Sequence, residues 1–256
     1  MFQAHSLLWH YLWVAPNLLL GVLAWILGRR GFYPRFRAFI WYAWFQLAQW
    51  AVLYPIDLIR SIPAVDFWRV YWVSLALESG IVFVLISDIF NEVFGAYAAL
   101  ARLGKLLIRW AGALLIITAT LFAAHAPTNN PYYWVIPACH ILQEARYIVV
   151  SGLILLLFAT AAYFRLSWDP RVFGIALGLG ISACVHLADW AITANGGLAE
   201  RRHLLDLANM ASFHIAVLIW FYYLLVPQKA AAQSAAALPE NNLAVWNREL
   251  ERLLDQ

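Results

Sequence analysis

Charged side chains are scarce in this sequence of 256 residues: Asp, Glu, Lys and Arg make up 12% of it, whereas 64% is hydrophobic. Charged residues form about a quarter of a typical soluble domain, so this shortage excludes a soluble globular fold. The mean hydropathy is +0.70. Aromatic residues reach 16%, and their polar tips favour the membrane interface. The composition therefore predicts an integral membrane protein.

Cysteine and lysine are also rare. We expect Cys139 and Cys184, the two cysteines, to be small buried side chains, with a disulfide or a metal pair as the alternative. The two lysines, Lys105 and Lys229, lie at the edges of apolar runs. A retinal pigment needs a lysine inside the membrane for its Schiff base, so retinal held in that way is excluded. No nucleic-acid partner is expected of such a chain.

Seven apolar runs predict an all-α polytopic membrane protein with seven transmembrane helices. About 20 apolar residues cross the hydrocarbon layer. Lipid cannot satisfy open backbone groups, and the alternating pattern of barrel strands is absent, so each run is predicted to be a helix. The first run lacks a basic start and is predicted to be a span, not a removable signal peptide. The runs lie near 6–28, 38–59, 67–93, 106–125, 135–164, 172–193 and 204–226.

Lysine and arginine are distributed unevenly between the two sets of predicted loops. Cytoplasmic loops of membrane proteins carry an excess of Lys and Arg. We therefore expect the N-terminus to lie outside and the C-terminus in the cytoplasm. The predicted location is the inner (cytoplasmic) membrane, as a multi-pass protein. One set holds Arg29, Arg30, Arg35, Arg37, Arg102, Lys105, Arg109, Arg165, Arg171 and Lys229, and the other holds Arg60, Arg69, Arg201 and Arg202.

The chain divides into a seven-helix transmembrane domain, residues 1–228, and a cytoplasmic segment, residues 229–256, predicted to be a linker and a short amphipathic helix. Leu243, Trp246, Leu250 and Leu253 recur there with 3-4-3 spacing, which is typical of a coiled-coil seam. We expect this association seam to dock on the protein's own cytoplasmic face, or to bind a second copy or a partner subunit; contact with lipid is the remaining alternative.

The third and fourth runs have special features. No proline occurs from Trp68 to Leu103, which predicts a third helix that continues past the bilayer into the cytoplasm. Thr118 and Thr120 are the polar groups in the middle of the fourth run, and they can bond their own backbone. We therefore expect the fourth helix at the periphery of the bundle.

Ionisable and amide side chains recur inside the predicted spans. A charged residue at mid-bilayer costs about 2.5–3.5 kcal/mol, so such residues tend to face the bundle interior and pair. At about 100° per residue, Arg146 points away from the face of its helix that holds His140 and Glu144. We expect a polar pocket that opens outward and is lined by His10, Asn17, Gln46, Gln49, Glu78, His140, Glu144, His186, Asp189 and His214. The alternative is that each residue satisfies a local neighbour.

Three other kinds of chemistry remain possible. Zinc could be held by His140, His186 and His214 with a nearby carboxylate, although no two histidines show the i, i+4 spacing of the membrane zinc hydrolases. Haem would need two of His10, His140, His186 and His214 facing each other. A proton path could use the carboxylates Glu78, Asp88 and Glu92, which share a stripe along the third run.

One segment, ISDIFNEVFGAYAALARLGKLLIRWAG (Ile86 to Gly112), resembles uncharacterised bacterial seven-helix integral membrane proteins in which a charged, aromatic third helix leads into a basic loop. The resemblance covers about a tenth of the chain. It implies a bacterial inner-membrane origin, and it implies no activity, cofactor or residue role.

The sequence favours a non-enzymatic membrane protein that binds a small ligand or partner in the polar pocket, as a sensor or signalling protein would, and that associates with itself or with other subunits. The alternatives are a haem- or metal-binding redox or hydrolytic protein, a transporter or proton pathway, and a structural assembly protein.

Overall fold

The fold is described by a computed structural model, which describes residues 6–59, 61–95, 97–124, 135–164, 166, 168–194, 202–226 and 252. These residues form seven α-helices and no strand. The seven helices are α1 (Leu7–Arg29), α2 (Arg37–Leu58), α3 (Ala64–Phe94), α4 (Ala98–Ala124), α5 (Val135–Tyr163), α6 (Pro170–Ala194) and α7 (Arg202–Leu225).

Five of these helices are long and apolar enough to cross a membrane, namely α1, α3, α5, α6 and α7. Large apolar side chains cover the outside of the bundle: Ile116 of α4 is 69% exposed, and Leu155 of α5 is 58% exposed. A water-soluble protein rarely exposes so much contiguous apolar surface. The chain is therefore a helical, multi-pass membrane protein, as the composition predicts.

The third helix is long, with 31 residues, but it ends at Phe94 and a separate helix, α4, begins at Ala98. A tight turn joins them, in which the amide of Tyr97 donates to the carbonyl of Phe94 at 2.8 Å. Gly95 follows α3, and a Cβ at this position would clash with the carbonyl oxygen of Asn91. The absence of proline was therefore not enough to predict a continuous helix.

Six of the helices form a closed ring, which we call the six-helix ring: α1 packs on α2, α2 on α3, α3 on α5, α5 on α6, α6 on α7, and α7 on α1. Helix α4 packs outside this ring, against α3 and α5. At the end of the ring opposite the start of α1, Arg35 joins two other chain segments, with Nη2 lying 2.9 Å from Glu92 and 2.6 Å from Asp169.

The core fills the half of the ring that contains Arg35, and we call this region the apolar half. Leu23 and Leu27 of α1, Ile86 of α3 and Leu157 of α5 are fully buried there. Helices α6 and α7 pack closely because Gly178 leaves room for the indole of Trp220. The ring is therefore tightly packed in one half, and its polar residues gather in the other.

Two further predictions concern the cysteines and the tail. Cys139 is buried as expected, but Cys184 is exposed on the outer surface of α6, because that side of the helix has no neighbouring helix; both are free thiols. The predicted seam, Leu243, Trp246, Leu250 and Leu253, lies outside the described residues.

Candidate functional site

A cavity of about 330 Å³ lies in the half of the ring where α1 begins. This volume lies within the range of small-molecule sites, roughly 300–1,000 Å³. All six helices of the ring contribute to the wall, and none of the described residues of α4 does. The polar lining residues are Asn17, Tyr42, Gln46, Gln49, Tyr71, Glu78, Gln143, Arg146, Tyr147, Ser182, His186 and Asn209.

An ion pair between α5 and α3 occupies the cavity wall. Nη1 of Arg146 lies 2.7 Å from Oε1 of Glu78, and the two side chains are 5% and 13% exposed. Gln46 of α2 donates from Nε2 to the same oxygen at 2.8 Å. Three helices of the ring thus meet at one carboxylate, which holds the guanidinium in place.

The guanidinium of Arg146 is only partly satisfied by the protein. Its Nε is buried and has no hydrogen-bond partner within the described part of the chain, whereas its Nη1 is paired with Oε1 of Glu78 at 2.7 Å. The indole Nε1 of Trp50 and the amide Oδ1 of Asn209 also line the cavity, buried and without a partner among the described residues. Most buried polar atoms in proteins are satisfied, so this concentration at one cavity is unusual.

His186 is held in a defined orientation on α6. Its Nδ1 lies 2.8 Å from the carbonyl oxygen of Ser182. A carbonyl can only accept, so Nδ1 carries the hydrogen, and the neutral ring keeps Nε2 as an acceptor. The ring stacks on Tyr147 at 4.1 Å between centroids, and the guanidinium of Arg146 lies over the same tyrosine at 4.7 Å.

Aromatic side chains form the rest of the cavity wall. Trp13, Phe67 and Phe213 line it from three helices. Trp220 closes it towards the apolar half, where its Nε1 donates to the carbonyl of Ile175 at 3.2 Å. The edge of Tyr42 meets the same indole at 5.9 Å and 90°. The cavity therefore combines a rigid aromatic surface with a small set of polar groups, which is a common composition for small-molecule sites.

Five of the ten residues predicted to line a pocket do line this cavity: Asn17, Gln46, Gln49, Glu78 and His186. Asn17 is 7% exposed, and its amide nitrogen donates to the carbonyl of Trp13 at 2.8 Å. The side chain of Asn17 is therefore anchored to its own helix at the cavity wall.

The other five predicted residues lie away from the cavity wall. His10 contacts the hydroxyl of Tyr54 at 3.1 Å, and Asp189 accepts a short hydrogen bond from Asn209 behind the wall. His140 is exposed beside Trp68, and Glu144 is hydrogen-bonded to the side chain of Trp190. The ring of His214 lies 5.6 Å from that of Tyr11.

The structure does not assemble the predicted zinc ligands. His140, His186 and His214 belong to three different helices and lie against three different aromatic neighbours, Trp68, Tyr147 and Tyr11. In the described part of the chain, no three His, Cys, Asp or Glu side chains come close enough to hold a metal ion.

The three carboxylates of the predicted proton path are also separated. Glu78 faces the cavity, whereas Glu92 belongs to the Arg35 contacts at the opposite end of the ring. Asp88, one helical turn before Glu92, borders two surface pockets there. Val82, Leu85 and Ile86 are buried between the two ends of α3, so apolar packing interrupts the stripe.

Arg146 is the main residue that the predicted set omits. The helical rotation correctly separates it from Glu144, but the face with two ionisable residues was expected to point inward. A useful signal was present, because a buried arginine needs a carboxylate partner at similar depth, and Glu78 supplies one. Tyr42, Tyr71, Tyr147 and Asn209 also line the cavity without having been predicted to do so.

No protein-family model, curated protein or solved structure matches this chain. Any functional conclusion therefore depends on the site itself.

Proposed function

We propose that the protein binds a small ligand in the cavity of the six-helix ring and does so without catalysing a reaction on it. The observation that carries this proposal is the buried guanidinium of Arg146 at the cavity wall, whose Nε has no acceptor among the residues that the structure describes. An unsatisfied buried donor costs about 1–3 kcal/mol, and more when it is charged. A ligand oxygen at this position would remove that cost.

The arrangement is suited to binding because the surrounding groups are already fixed. Gln46 holds the carboxylate of Glu78, which pairs with the guanidinium, and the carbonyl of Ser182 holds His186. Side chains held in this way lose little entropy when a ligand arrives, so more of the contact energy contributes to affinity. These fixed positions favour a receptor or sensor over a purely structural bundle.

For the membrane arrangement we propose seven spans, with the N-terminus outside, in the inner membrane of a bacterium. The distribution of Lys and Arg supports this orientation, and the resemblance of Ile86 to Gly112 supports the origin. In that arrangement the cavity opens to the outside, because its lining residues lie in the half of the ring where α1 begins.

Ligand binding can be tested with the protein in lipid nanodiscs. We would measure unfolding temperature against a library of neutral, anionic and cationic small molecules. Ala183 is 2% exposed and lines the cavity, so Ala183→Leu should fill it. Ala51 is exposed on the outer face of α2, so Ala51→Leu is the matched control.

A compound that stabilises the wild type and Ala51→Leu, but not Ala183→Leu, would support a ligand site in the cavity. A library without any such compound would overturn the proposal. Stabilisation of all three proteins alike would also count against it, because binding would then occur elsewhere.

Association through the tail is a separate part of the proposal. The seam Leu243, Trp246, Leu250 and Leu253 supports it, since two such helices could pack together. We expect a variant ending at residue 228 to have a smaller mass in detergent than the full chain, measured by light scattering with correction for bound detergent. Equal masses would overturn self-association through the tail.

A further inference from the structure

We infer that the ligand of this cavity is an uncharged molecule with a carbonyl oxygen, such as an amide, carried on a flat or apolar body. This inference rests on the proposed function, because it names the chemical class that the same cavity would bind. Its three supports are the charge balance of the wall, the kind of polar atom left without a partner, and the aromatic surface.

The charge balance argues for a neutral ligand. Arg146 and Glu78 are the charged residues among the cavity-lining side chains, and they already compensate each other at 2.7 Å. A carboxylate or phosphate entering the site would leave one buried negative charge without a counter-charge. Such a charge is strongly disfavoured in a desolvated site. The carboxylate of Asp189, one hydrogen bond behind the wall through Asn209, would repel an anion further.

The unpartnered atoms argue for an acceptor on the ligand. Nε of Arg146 and Nε1 of Trp50 are N–H groups that can only donate, and both are buried without a partner among the described residues. A carbonyl oxygen on the ligand could accept from either of them. An aliphatic or aromatic hydrocarbon would leave all of these donors unsatisfied, so it would bind without the polar contribution.

The cavity wall also offers acceptors. Asn209 presents a buried Oδ1 without a partner in the described chain, and its amide nitrogen is already bonded to Asp189. His186 keeps Nε2 as an acceptor, because Nδ1 is bonded to Ser182. A ligand with an N–H beside its carbonyl could therefore be satisfied on both sides, which is the pattern of an amide.

The shape of the site suits a flat molecule. Trp13, Phe67, Phe213 and Trp220 line the cavity, and aromatic rings pack well against planar groups. Benzene occupies an engineered cavity of roughly 150 Å³ in another protein. The volume here, about 330 Å³, leaves room for a substituted ring.

Three probes of similar shape test the inference: benzamide, benzoate and toluene. Their binding to wild-type protein in nanodiscs would be measured by equilibrium dialysis at pH 7, with empty nanodiscs as the blank for lipid partition. We expect benzamide to bind at least about ten-fold more tightly than benzoate, because only benzoate adds an unpaired buried charge. Benzamide should also exceed toluene, which has no acceptor.

The variant Glu78→Gln provides a charge switch with almost no change in shape. It leaves the charge of Arg146 uncompensated, so benzoate should gain at least about ten-fold relative to benzamide. An unchanged ratio would overturn the inference. If this variant does not fold, Glu78→Gln combined with Arg146→Gln restores neutrality and should reduce the preference for benzamide over toluene, because the donor Nε of Arg146 is lost; an unchanged preference would overturn the inference.

The outcomes separate this inference from the proposed function. Benzoate binding as tightly as benzamide to the wild type would overturn the neutral-ligand inference and leave a ligand-binding cavity intact. If benzamide does not bind, while library compounds still stabilise the wild type but not Ala183→Leu, the neutral-ligand inference is likewise overturned and the ligand-binding cavity stands. A library without compounds that need the open cavity would overturn the proposed function itself.

Discussion

Arg146 of α5 and Glu78 of α3 lie 2.7 Å apart with their side chains 5% and 13% exposed. They belong to helices that are distant in sequence and adjacent in the six-helix ring. Helix α4 packs outside the ring against these same two helices. The pair therefore lies between the cavity and the part of the bundle that holds α4.

Loss of one member of the pair should destabilise the protein strongly. Arg146→Met leaves Glu78 buried without its counter-charge, and breaking a buried pair in this way costs about 3–5 kcal/mol. The double variant with Glu78→Leu should lose less than the sum of the single changes. Unfolding by SDS titration, followed by circular dichroism, would measure each free energy.

The control is the exposed contact of Arg35, whose side chain is 48% exposed beside Glu92. Arg35 also pairs with Asp169, which is 18% exposed, but the arginine itself is half in water, which screens both contacts, so Arg35→Met should cost clearly less than Arg146→Met. Losses of equal size at positions 35 and 146 would contradict the assignment of Arg146 as a buried, paired charge.

Gly178→Ala should also destabilise the protein. A Cβ at Gly178 would lie 2.8 Å from Cε2 of Trp220, so the indole would have to move and lose its hydrogen bond to Ile175. Overpacking of this kind costs about 1–3 kcal/mol. The thermal unfolding temperature in detergent would show the effect.

Gly152 of α5 provides the matched control, because a Cβ there would meet nothing within 4 Å. Gly152→Ala should be neutral or stabilising by roughly 0.5–1 kcal/mol, since alanine has the higher helix propensity. Equal destabilisation by both substitutions would show that the contact with Trp220 is not the cause.

The two thiols should react differently with N-ethylmaleimide. Cys139 is 0% exposed and its Sγ lies 3.8 Å from the carbonyl of Trp68, whereas Cys184 is exposed. Because Cys184 faces the lipid, where its reactive thiolate is disfavoured, we expect slow modification of Cys184 and none of Cys139 in the folded protein, read by intact mass. Cys184→Ser should prevent labelling until SDS unfolds the chain, and early labelling of Cys139 would contradict the packing of α3 on α5.

The proposed seven spans can be tested by fusing alkaline phosphatase, which is active only outside the cytoplasm, at successive loops. Fusions after residues 62 and 128 should be active, because α2 and α4 would each return the chain to the outside. Fusions after residues 33 and 97 should be inactive. Inactive enzyme at 62 or 128 would show that the preceding helix does not cross the membrane.

The helices were largely predictable because the hydrophobic runs are long. Hydropathy located all seven, with starts and ends within a few residues for six of them. The start of α4 was missed because Ala98 to Arg109 is polar enough to suggest a loop, yet rich in strong helix formers. The turn at Gly95 has little signal in the sequence besides the glycine itself, because Ala98, Ala99 and Leu100 shortly after it are strong helix formers.

The site was less predictable because its composition depends on how each helix is rotated about its axis. Arg146 and Glu144 lie about 200° apart around α5, so the sequence shows that only one of them can face the ring. Packing against α3 and α6 decides which, and it selects Arg146. His140 rotates away together with Glu144 for the same reason.

The apolar half of the ring has a consequence for electrical behaviour. Leu27, Ile86, Leu157 and Trp220 are fully buried there, and an ion crossing this packing would lose its hydration without any compensating ligand. A bilayer containing the protein should therefore keep the high resistance of lipid alone, whether or not the cavity is occupied. A signal from the cavity would have to reach the other side as a movement of helices, because it could not cross as a current.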